Sequence, residues 1–475
     1  MIIQHLRDRR YGILLAAIVA TGFLLRLVSA RGGLWLDEAW SAQLADEAAT
    51  PLAVFLNINH DNNHHLNSLW LQFVGFGAAP LLARALSIAT STIAIAVAAR
   101  IVAPRGRCFA IVAALLFAIS PMMVTMGSEA RGYAPMTLAL LTAILLVDRR
   151  LAGEPGERTP FRLALCFALG ALSQMTMVFG CVALIGWAFF TYWKRTNLAG
   201  AMIETLKLFL PAIVALAITL GIVFGAAYIS PTGFQFGRYE PFGWLLFFHG
   251  LIEMLGYSIG YPIVSIWLVV ATIILVVLAR QMNSPRLWYY RLAILAFPAT
   301  LAALHLGNPG HPRYYLVISI ALLLMIAELL AAALVVGGWR RWLGAVLLAA
   351  FGAGSLVQDA DLIRNQRGDP AGAVSYMMAH APTGTRVLLD RATGFAQLKY
   401  GAANLHYPMV IVEKGCADAP FLFVDRFKGE TFPAAVNRCG QHYVPVDGAL
   451  AHGLSGTHWM LYERQPAAAR PARPQ

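Results

Sequence analysis

The sequence predicts an all-α polytopic membrane protein, of about eleven transmembrane helices plus interfacial helices, with a small C-terminal extracytoplasmic α/β domain. Three observations predict it. The 475 residues are 59% hydrophobic and only 13% charged, with mean hydropathy +0.63, which is more apolar surface than a water-soluble chain can bury. The apolar residues fall into runs long enough, or nearly so, to cross about 30 Å of hydrocarbon. The composition then turns polar near residue 357.

Taken in order, the apolar spans lie near 12–30, 85–103, 108–126, 134–148, 161–175, 176–193, 207–229, 262–280, 290–306, 314–335 and 341–356. The first run ends Val28-Ser29-Ala30, like a secretory signal with a small-residue cleavage site; cleaved or not, it delivers residue 31 outside. Basic clusters at Arg7/Arg9/Arg10, Arg100/Arg105/Arg107, Arg149/Arg150/Arg158, Lys194/Arg195, Arg280/Arg286 and Arg340/Arg341 all face the cytoplasm if residues 64–82 and 241–258 are interfacial or re-entrant. The positive-inside rule thus accounts for the net charge of +12 without nucleic acid. It sets the N-terminus inside and the C-terminal domain outside, in what reads as a bacterial inner membrane. Arg26, near the outer end of the first span, reads as a snorkelling side chain. Glu328, in the tenth span, has no assigned role.

The polar features that remain lie on the outer side. Residues 31–65 form a long loop carrying Asp37 and Glu38 between Trp35 and Trp40, and aromatics of this kind prefer the headgroup region. The pair reads either as solvated loop acids or as working carboxylates. Further along the loop come His60, Asp61, Asn62, Asn63, His64, His65 and Asn67. His60, Asp61 and His64 are weak candidates for a divalent metal, since no HxxxH or HExxH spacing is present; hydrogen bonding to sugar hydroxyls is the other reading. Arginine is rare on this side, and three stand in short polar motifs: Arg131 in SEARGY, Arg238 in FGRYE and Arg313 in GHPRYY. Each could snorkel; together on one face they point to an anion site.

Residues 357–464 read as the α/β domain, with a helix over 369–382 and strands at 385–390, 407–412 and 420–425. Residues 1–356 form the transmembrane domain and 465–475 a disordered tail. Cys416 and Cys439, in an oxidising compartment, are expected to pair and to contribute about 3 kcal/mol. Cys108, Cys166 and Cys181 lie in apolar runs and read as packing residues. There is no internal repeat, Walker loop, dinucleotide fingerprint or GxSxG elbow, so no nucleotide cofactor is expected.

The ordered set of motifs resembles the GT-C superfamily of polyprenyl-phosphate-sugar-dependent membrane glycosyltransferases, in particular the branch of protein O-mannosyltransferases and lipid A aminoarabinose transferases. The matching residues are Asp37-Glu38 after the first span, the His-rich segment leading into HLNSLW, Arg131-Gly132-Tyr133 before a helix, and His311-Pro312-Arg313-Tyr314 before a late span. The likeness covers roughly residues 10–340; the prolines that many relatives carry near 64–70 are missing here. It implies an inverting transfer from a polyprenyl-phosphate-linked sugar to a hydroxyl of a glycan, lipid or protein acceptor. Asp37 would be the general base, and Glu38 would hold acceptor, sugar or metal. Arg131 and Arg313 would hold the lipid phosphate, helped by Tyr133, Tyr314, His311, Arg238, His64 and His65. The rival readings are a lipid-linked sugar flippase and a non-catalytic protein that binds cell-envelope polymer. A flippase usually shows two related halves and midplane charges, which this chain lacks.

Overall fold

The structure is a computed structural model that describes residues 2–231, 233–235, 237 and 239–465, and the side chains of all of these except 2–8 and 282. The chain forms two compact units. The first comprises Met1–Ser29, Thr50–Trp70 and Arg84–Ala360; the second comprises Ala30–Ala49, Leu71–Ala83 and Asp361–Gln475.

The first unit is helical. Among the described residues, five helices are by themselves long and apolar enough to cross a membrane: Arg9–Ser29, Ala85–Arg105, Leu198–Ile229, Pro312–Val336 and Gly338–Gly368. Several other expected spans are shorter apolar helices: Thr159–Ser173, Met177–Trp193, Trp267–Gln281 and Leu287–Ala303. The segment near 241–258 is the helix Trp244–Ile259, and the one from 64 is His65–Val74, whose 10 residues are too few to span.

The expected span 108–126 is broken. Helices Arg107–Ile119 and Pro121–Gly127 meet at 60°, because Pro121 has no N–H to offer the Phe117 carbonyl and its ring stops the helix. Arg26 fills the gap. Its guanidinium donates to the Phe117, Ala118 and Gly22 carbonyls at 2.9 Å each, and to the Ser91 hydroxyl. The side chain is 1% exposed, so Arg26 does not snorkel. Carbonyls orphaned inside a membrane protein need a donor, and a cation also suits the negative end of a helix.

At its other end, the unit is tied by a buried ion network. Arg286 binds Asp148 at 2.5 Å and Glu328 at 2.8 Å, Glu328 also pairs with Arg105, and the Tyr290 hydroxyl donates to it at 2.7 Å. Arg286 is 1% exposed and Glu328 is fully buried. Truncating one member strands buried charge. Glu328→Ala is therefore expected to cost about 3–5 kcal/mol, read as a lowered unfolding midpoint in detergent; an unchanged midpoint would show the network to be dispensable.

The second unit is built on a six-stranded sheet: β1 (Thr385–Leu389), β2 (Met409–Val412), β3 (Phe421–Arg426), β4 (Val436–Arg438), β5 (Gln441–Ala449) and β6 (His458–Arg464), in the order β2-β1-β3-β6-β5-β4. The pairs β1–β2 and β1–β3 are parallel and the rest antiparallel. Both faces are apolar. Val387, Leu389, Phe421 and Phe423 pack with Val374, Met377 and Leu398, while Leu388, Leu422 and Val424 pack with Tyr443 and Tyr462, as the two-residue strand period requires. Helices Ala371–His380 and Gly394–Asn404 flank the sheet. Cys416 and Cys439 form a disulfide, with Cα atoms 5.4 Å apart.

Two segments from early in the chain complete this unit. Helix Leu36–Glu47 packs on Gly394–Asn404. The 71–83 segment is held by the Tyr400 hydroxyl, which donates to the Ala78 carbonyl at 2.7 Å, and by Phe76 against the Tyr400 ring at 5.3 Å.

Candidate functional site

Three sequence motifs supply a buried polar cluster in the first unit. The HDNNHH segment is a tight turn. Asn63 donates to the Val54 and Ile58 carbonyls at 3.0 and 2.9 Å, and the Ser68 hydroxyl donates to Asn63 at 2.8 Å. This fixes Asp61, whose N–H donates to the Gln235 carbonyl at 2.9 Å and whose Oδ1 accepts the Gly237 N–H at 3.1 Å. His64 Nδ1 lies 2.9 Å from the Ser173 carbonyl. A carbonyl only accepts, so the ring's proton is on Nδ1. His65, 3% exposed, stacks on Phe55 at 5.1 Å, and burial pushes its pKa down to about 4. It is neutral at pH 7 and brings no charge to an anion.

The SEARGY motif is the turn between Pro121–Gly127 and the helix Tyr133–Leu151. Its backbone is pinned on both sides: Asn67 donates to the Ala130 carbonyl at 2.6 Å and Ser87 to the Arg131 carbonyl at 3.0 Å. A Cβ at residue 132 would collide with the Ser173 carbonyl, so only glycine lets the turn sit this close to its neighbour. Arg131, 3% exposed, lies over the Tyr133 ring at 5.5 Å, and His64 packs against the same ring at 5.3 Å. Tyr133 is fully buried, and its hydroxyl has no hydrogen-bond partner among the described residues. Glu129 and Arg84 are fully buried as well.

The GHPRYY motif is a 3₁₀ turn, Pro312–Tyr315, opening the helix Leu316–Val336. Tyr315 donates to the Pro309 carbonyl at 2.8 Å. Asn308 and Glu240 exchange two hydrogen bonds, at 2.6 and 2.7 Å, fastening the turn to the 239–243 segment. His311 packs edge-on against Tyr314 at 5.4 Å. The Tyr314 phenol is within electrostatic reach of Arg313, Tyr133, Asp61 and Arg131. Motifs some 70 and 180 residues apart are therefore brought within electrostatic reach of one another, Asp61, Arg313 and Tyr314 half-buried and Arg131 and Tyr133 buried. Arg238 lies outside the described residues.

Among the described residues no three His, Cys, Asp or Glu side chains gather as a metal site. In the HDNNHH turn, His60 Nδ1 accepts the Asn62 N–H at 3.0 Å. Sequence reasoning overlooked Ser87 and Ser173, serines inside apolar runs whose spacing carries no signal. It also gave Glu129 no role, although two charges in SEARGY beside a span were a signal.

Asp37 and Glu38 belong to the second unit. They occupy the first turn of Leu36–Glu47, a helix where a loop was expected. Glu38 is fully buried, and its Oε2 accepts the Trp35 N–H at 3.3 Å. Asp37 is half-buried, and its carbonyl accepts the Ser41 hydroxyl at 2.8 Å.

No family model matches the sequence, and no curated protein matches it. Solved structures do. ArnT from Cupriavidus metallidurans bound to undecaprenyl phosphate aligns with a TM-score of 0.51 at 12% identity, covering 97% of this chain and 99% of that one. The same protein in its apo state gives 0.53 at 11%, covering 96% and 98%. The chain shares the fold of ArnT. That likeness extends over nearly the whole chain.

Proposed function

We propose that this chain is an inverting glycosyltransferase of the bacterial inner membrane, moving a sugar from a polyprenyl-phosphate donor to an acceptor hydroxyl on the outer face. The observation that most supports this is that the half-buried Tyr314, beside Arg313, lies within electrostatic reach of the buried Arg131 and Tyr133, on a fold like that of ArnT. A lipid phosphate leaves as a dianion. Planar guanidinium groups grip phosphate oxygens in bidentate fashion, and in a site shielded from water they stabilise that charge as it develops.

In this reading Asp37 removes the proton from the acceptor hydroxyl, whose oxygen attacks the anomeric carbon from the side opposite the phosphate. One C–O bond forms as the sugar–phosphate C–O bond breaks, and the electron pair departs with the polyprenyl phosphate. Direct displacement inverts the anomeric centre. Glu38 holds the first turn that carries Asp37.

Membranes containing the protein are to be incubated with radiolabelled pentosyl and hexosyl polyprenyl phosphates, with and without divalent ions. Released polyprenyl phosphate together with label in an acceptor supports the reading. If no donor is consumed, the transferase reading falls, and donor redistribution across vesicles would favour a flippase.

A further inference from the structure

The helix that carries Asp37 is capped from within by Glu38 alone, which accepts the Trp35 N–H. Its N-cap residue is Trp35, whose side chain makes no capping bond, where Ser, Thr, Asp or Asn would be preferred. Three successive fixings stand in for it. The Gly33 N–H donates to Asp369 Oδ1 at 2.7 Å, the Trp35 N–H to Glu38 at 3.3 Å, and the Leu36 N–H to Thr457 Oγ1 at 3.1 Å. Two of the three acceptors lie more than 330 residues along the chain.

Both distant acceptors are anchored to one unusual turn. Gln366, Arg367, Gly368 and Asp369 all have positive φ, at 48°, 58°, 84° and 37°. Non-glycine residues pay for that conformation and keep it only where their surroundings enforce it. Here the enforcement is visible. Asn365 Oδ1 accepts the Arg367 N–H at 2.9 Å, the Thr457 N–H donates to the Arg367 carbonyl at 3.0 Å, and the Trp459 indole donates to the Gly368 carbonyl at 2.5 Å. The 33–36 segment then lies hard against the turn. A Cβ on Gly33 would come within 2.8 Å of the Ala371 methyl and 3.2 Å of Asp369 Oδ1.

We infer that Thr457 and Asp369 are positioning residues for Asp37, so that the C-terminal sheet region sets the geometry of the proposed base. This rests on the transferase reading above. Asp37 is the second residue of the helix, and freeing the N–H groups at its start lets that turn fray. A displacement of about 1 Å in a reacting group costs about a hundredfold in rate.

The test uses the full chain in nanodiscs, with Thr457→Val and Asp369→Ala set against the restoring variants Thr457→Ser and Asp369→Asn. Asparagine keeps an acceptor oxygen and tolerates positive φ. Amide exchange at residues 33–37 is expected to quicken about fivefold on loss of a cap. With whichever donor the panel identifies, kcat is expected to fall about a hundredfold while donor KM stays within about twofold, and Ser and Asn are expected to restore both readouts. Faster exchange with unchanged kcat overturns the positioning role and leaves the transferase reading standing. Unchanged exchange overturns the capping itself. If the wild type consumes no donor, the transferase reading falls and the positioning role falls with it, whatever the exchange shows.

Discussion

Asp37→Asn is expected to lower turnover by about 10²–10⁴-fold, the range for removing a positioned general base. The change is nearly isosteric. The Ser41 hydroxyl bonds to the backbone carbonyl of residue 37, and the Trp35 N–H bonds to Glu38, so neither contact depends on the substituted carboxylate. Expression and helical content should therefore match the wild type, and the loss should appear in kcat. The assay is release of polyprenyl phosphate per protein. Activity within about tenfold of wild type would remove Asp37 as the base. Asp61, the acid within electrostatic reach of Tyr314, would then be tested by Asp61→Asn, which keeps an acceptor for the Gly237 N–H.

The second large effect is expected at the arginines. Arg131→Lys and Arg313→Lys each keep the charge and lose the planar fork, and should lower kcat by about 10²–10³-fold, as for one donor lost from a charge-stabilising site. The backbone at 131 is held by Ser87 and by its own N–H to the Glu129 carbonyl at 2.8 Å, so the turn should survive. If the arginines act on the leaving group, donor KM should move little, because the negative charge they meet grows along the reaction path. A large rise in KM with kcat intact would instead mark them as ground-state binders.

The features legible in the sequence were those with local signatures. Apolar runs gave the fold class, and strand-like runs gave β1, β2 and β3 close to their boundaries. Two of the three motifs flagged by arginine beside apolar runs, SEARGY and GHPRYY, contribute to the cluster together with HDNNHH, which was flagged by its polar density. What was not legible depends on distant partners. Leu36–Glu47 read as loop because its cap, Thr457, is 421 residues away. The helix Gly394–Asn404 contains Gly401, and β5 contains Pro445 at a register shift, so each weakens its own pattern. The break at Pro121 was signalled by the proline itself, but a Pro within an apolar run is common in membrane helices. Nor does local pattern say that 30–49 and 71–83 associate with the C-terminal region.

The Arg26 contacts bear on the order in which the protein is made. Two of the three carbonyls that receive its guanidinium lie 91 and 92 residues downstream, and Asp359, the acid that faces it electrostatically, comes almost at the end of the membrane unit. At about 5–20 residues per second, synthesis reaches Ala118 only some 5–18 seconds after Arg26. Until then the first helix carries a charge in its last turn without the two carbonyls of the broken helix, and an arginine left in hydrocarbon costs about 3 kcal/mol or more. The nascent side chain must reach for the headgroups. Snorkelling thus belongs to the growing chain, and it ends when a proline-broken helix arrives with two free carbonyls.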